Sequence, residues 1–203
     1  MSLTGYNYTE EQSATVQHQI HTLLADITAG ELQVTFDDGN SSTFTPLQLH
    51  LHAPSEHTIL NQHYDIELHL VHKHKTTGQL GAVIAIFFDS KVQSYSGQNA
   101  SHTFLNQLIP KQNANQTTQP EPLFLKSLLA QVDFTRIYHY KGSLTTPPCT
   151  EGIEWFVVLE VQSATTAQAA IFRALWEENP EYAAYLGNNR VTQELNQRVV
   201  SSN

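Results

Sequence analysis

A single cysteine, Cys149, among 203 residues excludes an intrachain disulfide. Basic residues are scarce as well. Ten lysines and arginines face nineteen acidic residues, for a formal net charge of −9 with histidine neutral. A nucleic-acid surface needs a basic stripe, and this chain has no material for one. No run of about 18 apolar residues occurs, so no helical membrane span is expected. No signal-peptide pattern stands at the start. Internal repeats and interdomain linkers are absent too. The expectation is one domain over 1–203, long enough to bury a sizeable core.

Histidine, in contrast, is plentiful, with eleven copies, and two segments concentrate it. Residues 48–57 read Gln-Leu-His-Leu-His-Ala-Pro-Ser-Glu-His, and residues 67–72 read Glu-Leu-His-Leu-Val-His. Both alternate apolar and polar residues, the pattern of a strand, in which i and i+2 share a face. His50 and His52 then lie on one face of the first strand, and Glu67, His69 and Val71 on one face of the second. If the strands are neighbours, three imidazoles meet at one point. Three neutral imidazoles with an open fourth position form the catalytic type of zinc site, whereas structural zinc is usually closed by four protein ligands. A buried imidazole needs partners for its nitrogens, and Gln48 and Glu67 stand close by to supply them.

A third segment, Ser143-Leu144-Thr145-Thr146-Pro147-Pro148, is a rigid loop whose prolines keep it out of any sheet ladder. With the two histidine segments, in this order, it resembles the α-class carbonic anhydrases. Weaker matches at Val34–Asp38, Asn189-Arg190 and Asn196–Arg198 extend the resemblance over roughly residues 30–200. The fold it implies is mostly β: a large twisted, mainly antiparallel central sheet with peripheral helices. His50, His52 and His69 would bind Zn²⁺, and Gln48 and Glu67 would hold ligand histidines from behind. Thr145 would accept a hydrogen bond from a zinc-bound hydroxide and pass its own proton to Glu56. His57 and Tyr140 would brace this network. Val71, Val83, Leu144, Ile153 and Trp155 would line the apolar pocket for CO₂, with Thr146 beside it. The implied reaction is the reversible hydration of CO₂ to bicarbonate and a proton by that hydroxide. A rival of another class is a carbonic-anhydrase-related binding protein. Such relatives typically lose ligand histidines, and this chain keeps all three together with Glu56 and Thr145.

The departures from the family carry expectations of their own. Gly30 falls where the fastest members place a proton-shuttling histidine, so turnover is expected to be limited by proton transfer. Residues 1–29 are atypical for the family. Thr9 and Gln12 fit a capping box, and Val16, Ile20, Leu23, Leu24 and Ile27 share a helical face. The reading is an amphipathic helix at about 10–25 that covers the core and the sheet edge, or offers its apolar face to a second copy of the chain as a homodimer contact. Many secreted family members pair a cysteine at the position of Cys149 with one near the amino terminus, and that partner is missing. The resemblance leans toward a secreted or periplasmic setting.

Elsewhere Leu80–Phe88 and Ile153–Val161 read as buried strands, and Phe104–Ile109 and Thr165–Glu178 as helices. Lys111–Pro122 reads as a loop. His72–Lys75 reads as an exposed, basic strand end where a second metal site is conceivable.

Overall fold

A computed structural model describes residues 1–4, 6–8, 12–18, 22–93, 100–110, 121–177 and 187–202. In chain order the strands are β1 (Ser2–Thr4), β2 (Gln12–Ala14), β3 (Val16–His18), β4 (Leu23–Asp26), β5 (Leu32–Thr35), β6 (Ser41–His52), β7 (Ile66–His74) and β8 (Leu80–Asp89). After α1 (Ala100–Leu108) come β9 (Glu121–Leu123), α2 (Leu125–Leu129), β10 (Ile137–Ser143), β11 (Glu151–Val158), β12 (Gln162–Ser163), α3 (Thr166–Glu177) and β13 (Ser201–Ser202). The main sheet runs β1-β5-β6-β7-β8-β11-β10-β13, with β4 on part of β6, β3 on β4 and β12 on β8. Only the pairings of β8 with β11 and β12 are parallel among the described strands. A mostly β, large mixed sheet with few helices is therefore what the chain forms.

The sheet sorts its side chains by parity. Leu49 and Leu51 of β6, Leu68 and Leu70 of β7, and Ile84 and Ile86 of β8 join a large core that also takes Phe104 of α1, Leu128 of α2, and Phe172 and Trp176 of α3. The alternate residues Val71, Val83, Ala85, Phe87, Ile153, Trp155 and Val157 form a separate apolar cluster on the other face. Strand β7 is buried on both faces from Ile66 to His72, which explains its near-continuous burial despite three polar members. Helix α3 begins with a reciprocal cap: Gln168 N donates to Thr165 Oγ1 at 3.0 Å, and Thr165 N donates to Gln168 Oε1 at 2.9 Å.

The helix expected at about 10–25 does not form. In its place stand β2, β3 and β4; residues 9–11 and 19–21 lie outside the described residues. The physical cause is the edge of β6. Leu23, Leu24, Ala25 and Asp26 pair with Leu51, His50, Leu49 and Gln48, so backbone groups of β6 that would stand open gain a ladder. Leu23, Ala25 and Ile27 are buried at a period of two, and tertiary pairing overrides the local helical pattern. With the helix goes the surface on which a homodimer contact was expected.

The reading of His72–Lys75 is corrected as well. His72 is fully buried on the core face and hydrogen-bonded to the hydroxyl of Tyr8; only Lys73 onward reaches solvent. Of the loop expected at Lys111–Pro122, residues 111–120 lie outside the described residues, and Glu121 and Pro122 belong to β9. Helix α1 begins at Ala100, earlier than expected, and the strand expected at Ile153–Val161 begins at Glu151 and ends at Val158.

Candidate metal centre

Strand β6 pairs antiparallel with β7 so that His50 stands opposite His69, and His52 opposite Glu67. The three imidazoles pack mutually, with ring centroids 5.0 Å apart for His50–His52 and His50–His69 and 4.7 Å for His52–His69. Each ring nitrogen on the outer side has an acceptor. His50 Nδ1 donates to Gln48 Oε1 at 2.9 Å, His52 Nδ1 to the Asn188 carbonyl at 3.2 Å, and His69 Nε2 to Glu67 Oε1 at 2.7 Å. These bonds leave His50 Nε2, His52 Nε2 and His69 Nδ1 as bare lone pairs on the inner side. His50 Nε2 and His69 Nδ1 are 3.2 Å apart. Tetrahedral zinc with bonds of 2.0–2.1 Å would hold two nitrogens about 3.3 Å apart. His52 Nε2 is buried and has no hydrogen-bond partner.

Glu56 completes the inner surface. Its Oε2 is also buried without a hydrogen-bond partner and lies 3.5 Å from His52 Nε2 and 4.0 Å from His69 Nδ1. Three lone pairs turned toward one point, with a buried carboxylate oxygen beside two of them, repel each other, and a divalent cation held by the three imidazoles relieves that repulsion. The residues present therefore fit a zinc ion. Burial pushes His50 well below the ordinary imidazole range, with His69 and His52 adding to the shift, and burial lowers His52 as well. Both are thus held in the neutral form that binds metal.

Behind this surface lies a buried relay. Burial alone would raise the Glu67 carboxyl, but His57 and His69 hold it well below the usual carboxylate range. Its Oε2 accepts the backbone N–H groups of Glu56 and His57, each at 2.8 Å, and its Oε1 accepts His57 Nδ1 at 2.6 Å. Burial opposes charge on His57, yet Glu67 raises it overall. The Tyr140 hydroxyl meets His57 Nε2 at 2.7 Å. His57, Glu67 and His69 also qualify geometrically as a metal-holding group, but their nitrogens and oxygens already satisfy one another. Among the described residues no metal-holding group forms at His72–Lys75.

The apolar residues come together beside the imidazoles. Trp155 lies 4.8 Å from the His69 ring and 4.9 Å from the His57 ring, and its Nε1 donates to the Ser143 carbonyl at 3.0 Å. Val71, Val83 and Ile153 join it, with Leu144 packed against them. Thr145 is half-buried and Thr146 exposed. One expected contact is not made: the Thr145 hydroxyl does not reach Glu56, whose Oε1 accepts Arg190 N at 2.8 Å instead.

The segment around Asn188 is what the sequence reading missed. Asn188 Oδ1 accepts Ala53 N at 2.9 Å, its Nδ2 donates to the Leu51 carbonyl at 3.0 Å, and its own carbonyl holds His52. Gly187 precedes it because a Cβ there would lie 2.3 Å from the Ala53 carbonyl oxygen. The only available signal was the weak match at Asn189-Arg190, adjacent to the residue that matters.

Comparison with known proteins agrees with this geometry. The family model of eukaryotic-type carbonic anhydrases matches residues 1–203. A carbonic anhydrase of Klebsiella pneumoniae is 37% identical over 186 residues, covering 90% of this chain and 65% of its own length. The chain thus spans just under two thirds of that relative. The solved α-carbonic anhydrase of Photobacterium profundum superposes with a TM-score of 0.75 at 34% identity, covering 98% of this chain and 81% of that one. A dioscorin solved in complex with ascorbate superposes with a TM-score of 0.76 at 28% identity, covering 100% of this chain and 77% of that one. The chain belongs to the eukaryotic-type, or α-class, carbonic anhydrase family.

Proposed function

We propose that this protein is a zinc-dependent lyase that interconverts CO₂ and bicarbonate. The observation that carries the reading is the set of three inward lone pairs on His50, His52 and His69, each fixed by an outward hydrogen bond. These three residues would hold zinc, which when bound supplies a water acidified to a pKa of about 7, an effect for which carbonic anhydrase is itself the standard example. Gln48, the Asn188 carbonyl and Glu67 orient the imidazoles. Thr145, on the loop beside them, would orient the attacking water by accepting its hydrogen, and passing its own to Glu56 would require the loop to close on that carboxylate, which it does not touch in this structure. Val71, Val83, Leu144, Ile153 and Trp155 provide a dry wall for CO₂, with Thr146 at its mouth, and His57 and Tyr140 keep Glu67 in place. The product proton then has to leave.

Export is the weak step in this reading. Gly30 has no side chain to carry a proton. The adjacent Glu31 accepts hydrogen bonds from Lys75 and Gln33, which hold its carboxyl below the usual range, so it is a poor acceptor near neutral pH. Turnover should therefore rise with buffer concentration. Stopped-flow CO₂ hydration on zinc-loaded protein, beside His69→Ala and at two imidazole concentrations, tests both statements. Activity lost in the variant and increased by imidazole is the expected result; turnover independent of buffer would refute the export argument alone.

The separation of Thr145 from Glu56 favours a second reading, a binding protein that keeps the fold without turnover. It predicts one zinc bound per chain with no hydration above the buffer rate in the same experiment.

A further inference from the structure

On the face of the sheet opposite the imidazoles, three adjacent strands assemble another polar group. Ser201 of β13 pairs with His139 of β10. On the far side of β10, Lys141 pairs with Glu154 of β11, and His139 with Phe156. Directly opposed and diagonal partners share a face, so Ser201, His139 and Glu154 form a row. His139 Nε2 donates to Glu154 Oε2 at 2.8 Å. Its Nδ1 is then an acceptor, and Ser201 Oγ lies 3.5 Å from it and equally 3.5 Å from the His139 carbonyl oxygen, to which the hydroxyl can donate instead. The ring is held by stacking on Phe156, with centroids 5.1 Å apart at 17°, and by Phe36 at 5.9 Å. Lys141 Nζ takes the second Glu154 oxygen at 3.1 Å. Ser201 also lines an open cavity of about 460 Å³, whose wall includes the apolar Leu3 and Phe134 and the mutually neutralising Met1 ammonium and Asp37 carboxylate. None of these side chains takes part in the metal centre.

A hydroxyl beside an imidazole acceptor, an imidazole oriented by a carboxylate, and a cavity at the hydroxyl are the parts of an acyl-transfer site. We propose that Ser201, His139 and Glu154 form a second, metal-independent esterase site that takes small uncharged carboxylic esters from this cavity. His139 Nδ1 removes the Ser201 proton as Oγ adds to the ester carbonyl. The bond to the alcohol oxygen then breaks, and the imidazolium returns the proton to the leaving alcohol. A water deprotonated by the same nitrogen cleaves the acyl–Ser201 bond, which releases the carboxylic acid and restores the serine. Glu154 is a positioning residue that keeps Nε2 protonated.

The test uses the full chain after zinc chelation, and the His69→Ala variant, so that the metal centre contributes nothing. Hydrolysis of p-nitrophenyl acetate should persist in both and fall by about a hundredfold in Ser201→Ala and His139→Ala at unchanged melting temperature. A fluorophosphonate probe should label the peptide containing Ser201. Glu154→Gln should lower kcat with KM unchanged, and Glu154→Asp should recover part of the loss. The proposal is overturned if Ser201 is not labelled, if Ser201→Ala hydrolyses ester as fast as the parent, or if chelation abolishes hydrolysis. The last result would assign ester cleavage to the metal centre and leave the CO₂ reading intact.

Discussion

Each clustered imidazole leans on a different acceptor: a carboxamide at Gln48, a backbone carbonyl at Asn188 and a carboxylate at Glu67. Removing an outer partner frees the ring to rotate and to exchange its proton between nitrogens. Gln48→Ala removes the acceptor outright, whereas Asn188→Ala keeps the carbonyl but removes the side-chain bonds to Ala53 N and the Leu51 carbonyl that hold it against His52; each should weaken zinc binding by about 10–100-fold, measured by competition with a chromophoric chelator. The side-chain acceptors were legible because they lie two residues from their histidines on the same strand face. Asn188 was not, since a backbone carbonyl 136 residues away leaves no side-chain signature. Gly30 adds a second prediction at this scale. Its φ is +140°, and a Cβ would meet Tyr8 Cδ1 at 2.8 Å and the Asn7 carbonyl oxygen at 3.0 Å. Gly30→His should therefore lower the melting temperature, with a cost of about 1–3 kcal/mol, and leave CO₂ turnover no faster.

At the level of elements, two periods competed over the same residues. Leu23 and Ile27 are four apart, a spacing common to a helical face and a strand face, so they could not discriminate. Ala25 decides in retrospect, because it is wholly buried between them, yet an alanine carries almost no weight in a hydrophobic pattern. What settled the outcome was the demand of β6 for a partner, which lies outside the segment. Helix α3 is the opposite case. Its start is written locally in Thr165 and Gln168, whose reciprocal bonds satisfy two terminal donors. Thr165→Ala should cost about 1 kcal/mol in thermal or urea unfolding.

For the whole molecule, burial on both faces of β7 makes stability sensitive to acid. His72 sits in the main core, hydrogen-bonded to Tyr8, with its Nδ1 unpartnered. Burial pushes its pKa down to about 4 from 6.5. The unfolded chain therefore takes up a proton below about pH 6.5 that the folded chain refuses until about pH 4. Stability from this residue is complete above that window and is lost as pH falls through it, by about 3 kcal/mol. In His72→Phe the decline in unfolding free energy between pH 7 and 4 should shrink by a comparable amount. Strand alternation also governs the main sheet's division into two faces, and of the three register shifts among its described strands one falls beside the histidines. Strand β6 shifts register against β7 between Pro46 and Gln48, so Leu47 is an extra letter in a two-letter frame. Deleting it would forfeit the bond its carbonyl accepts from Ile27 N but keep His50 and His52 in frame. An unabsorbed deletion at Leu49 would be a frameshift, sending both histidines to the face of the main core.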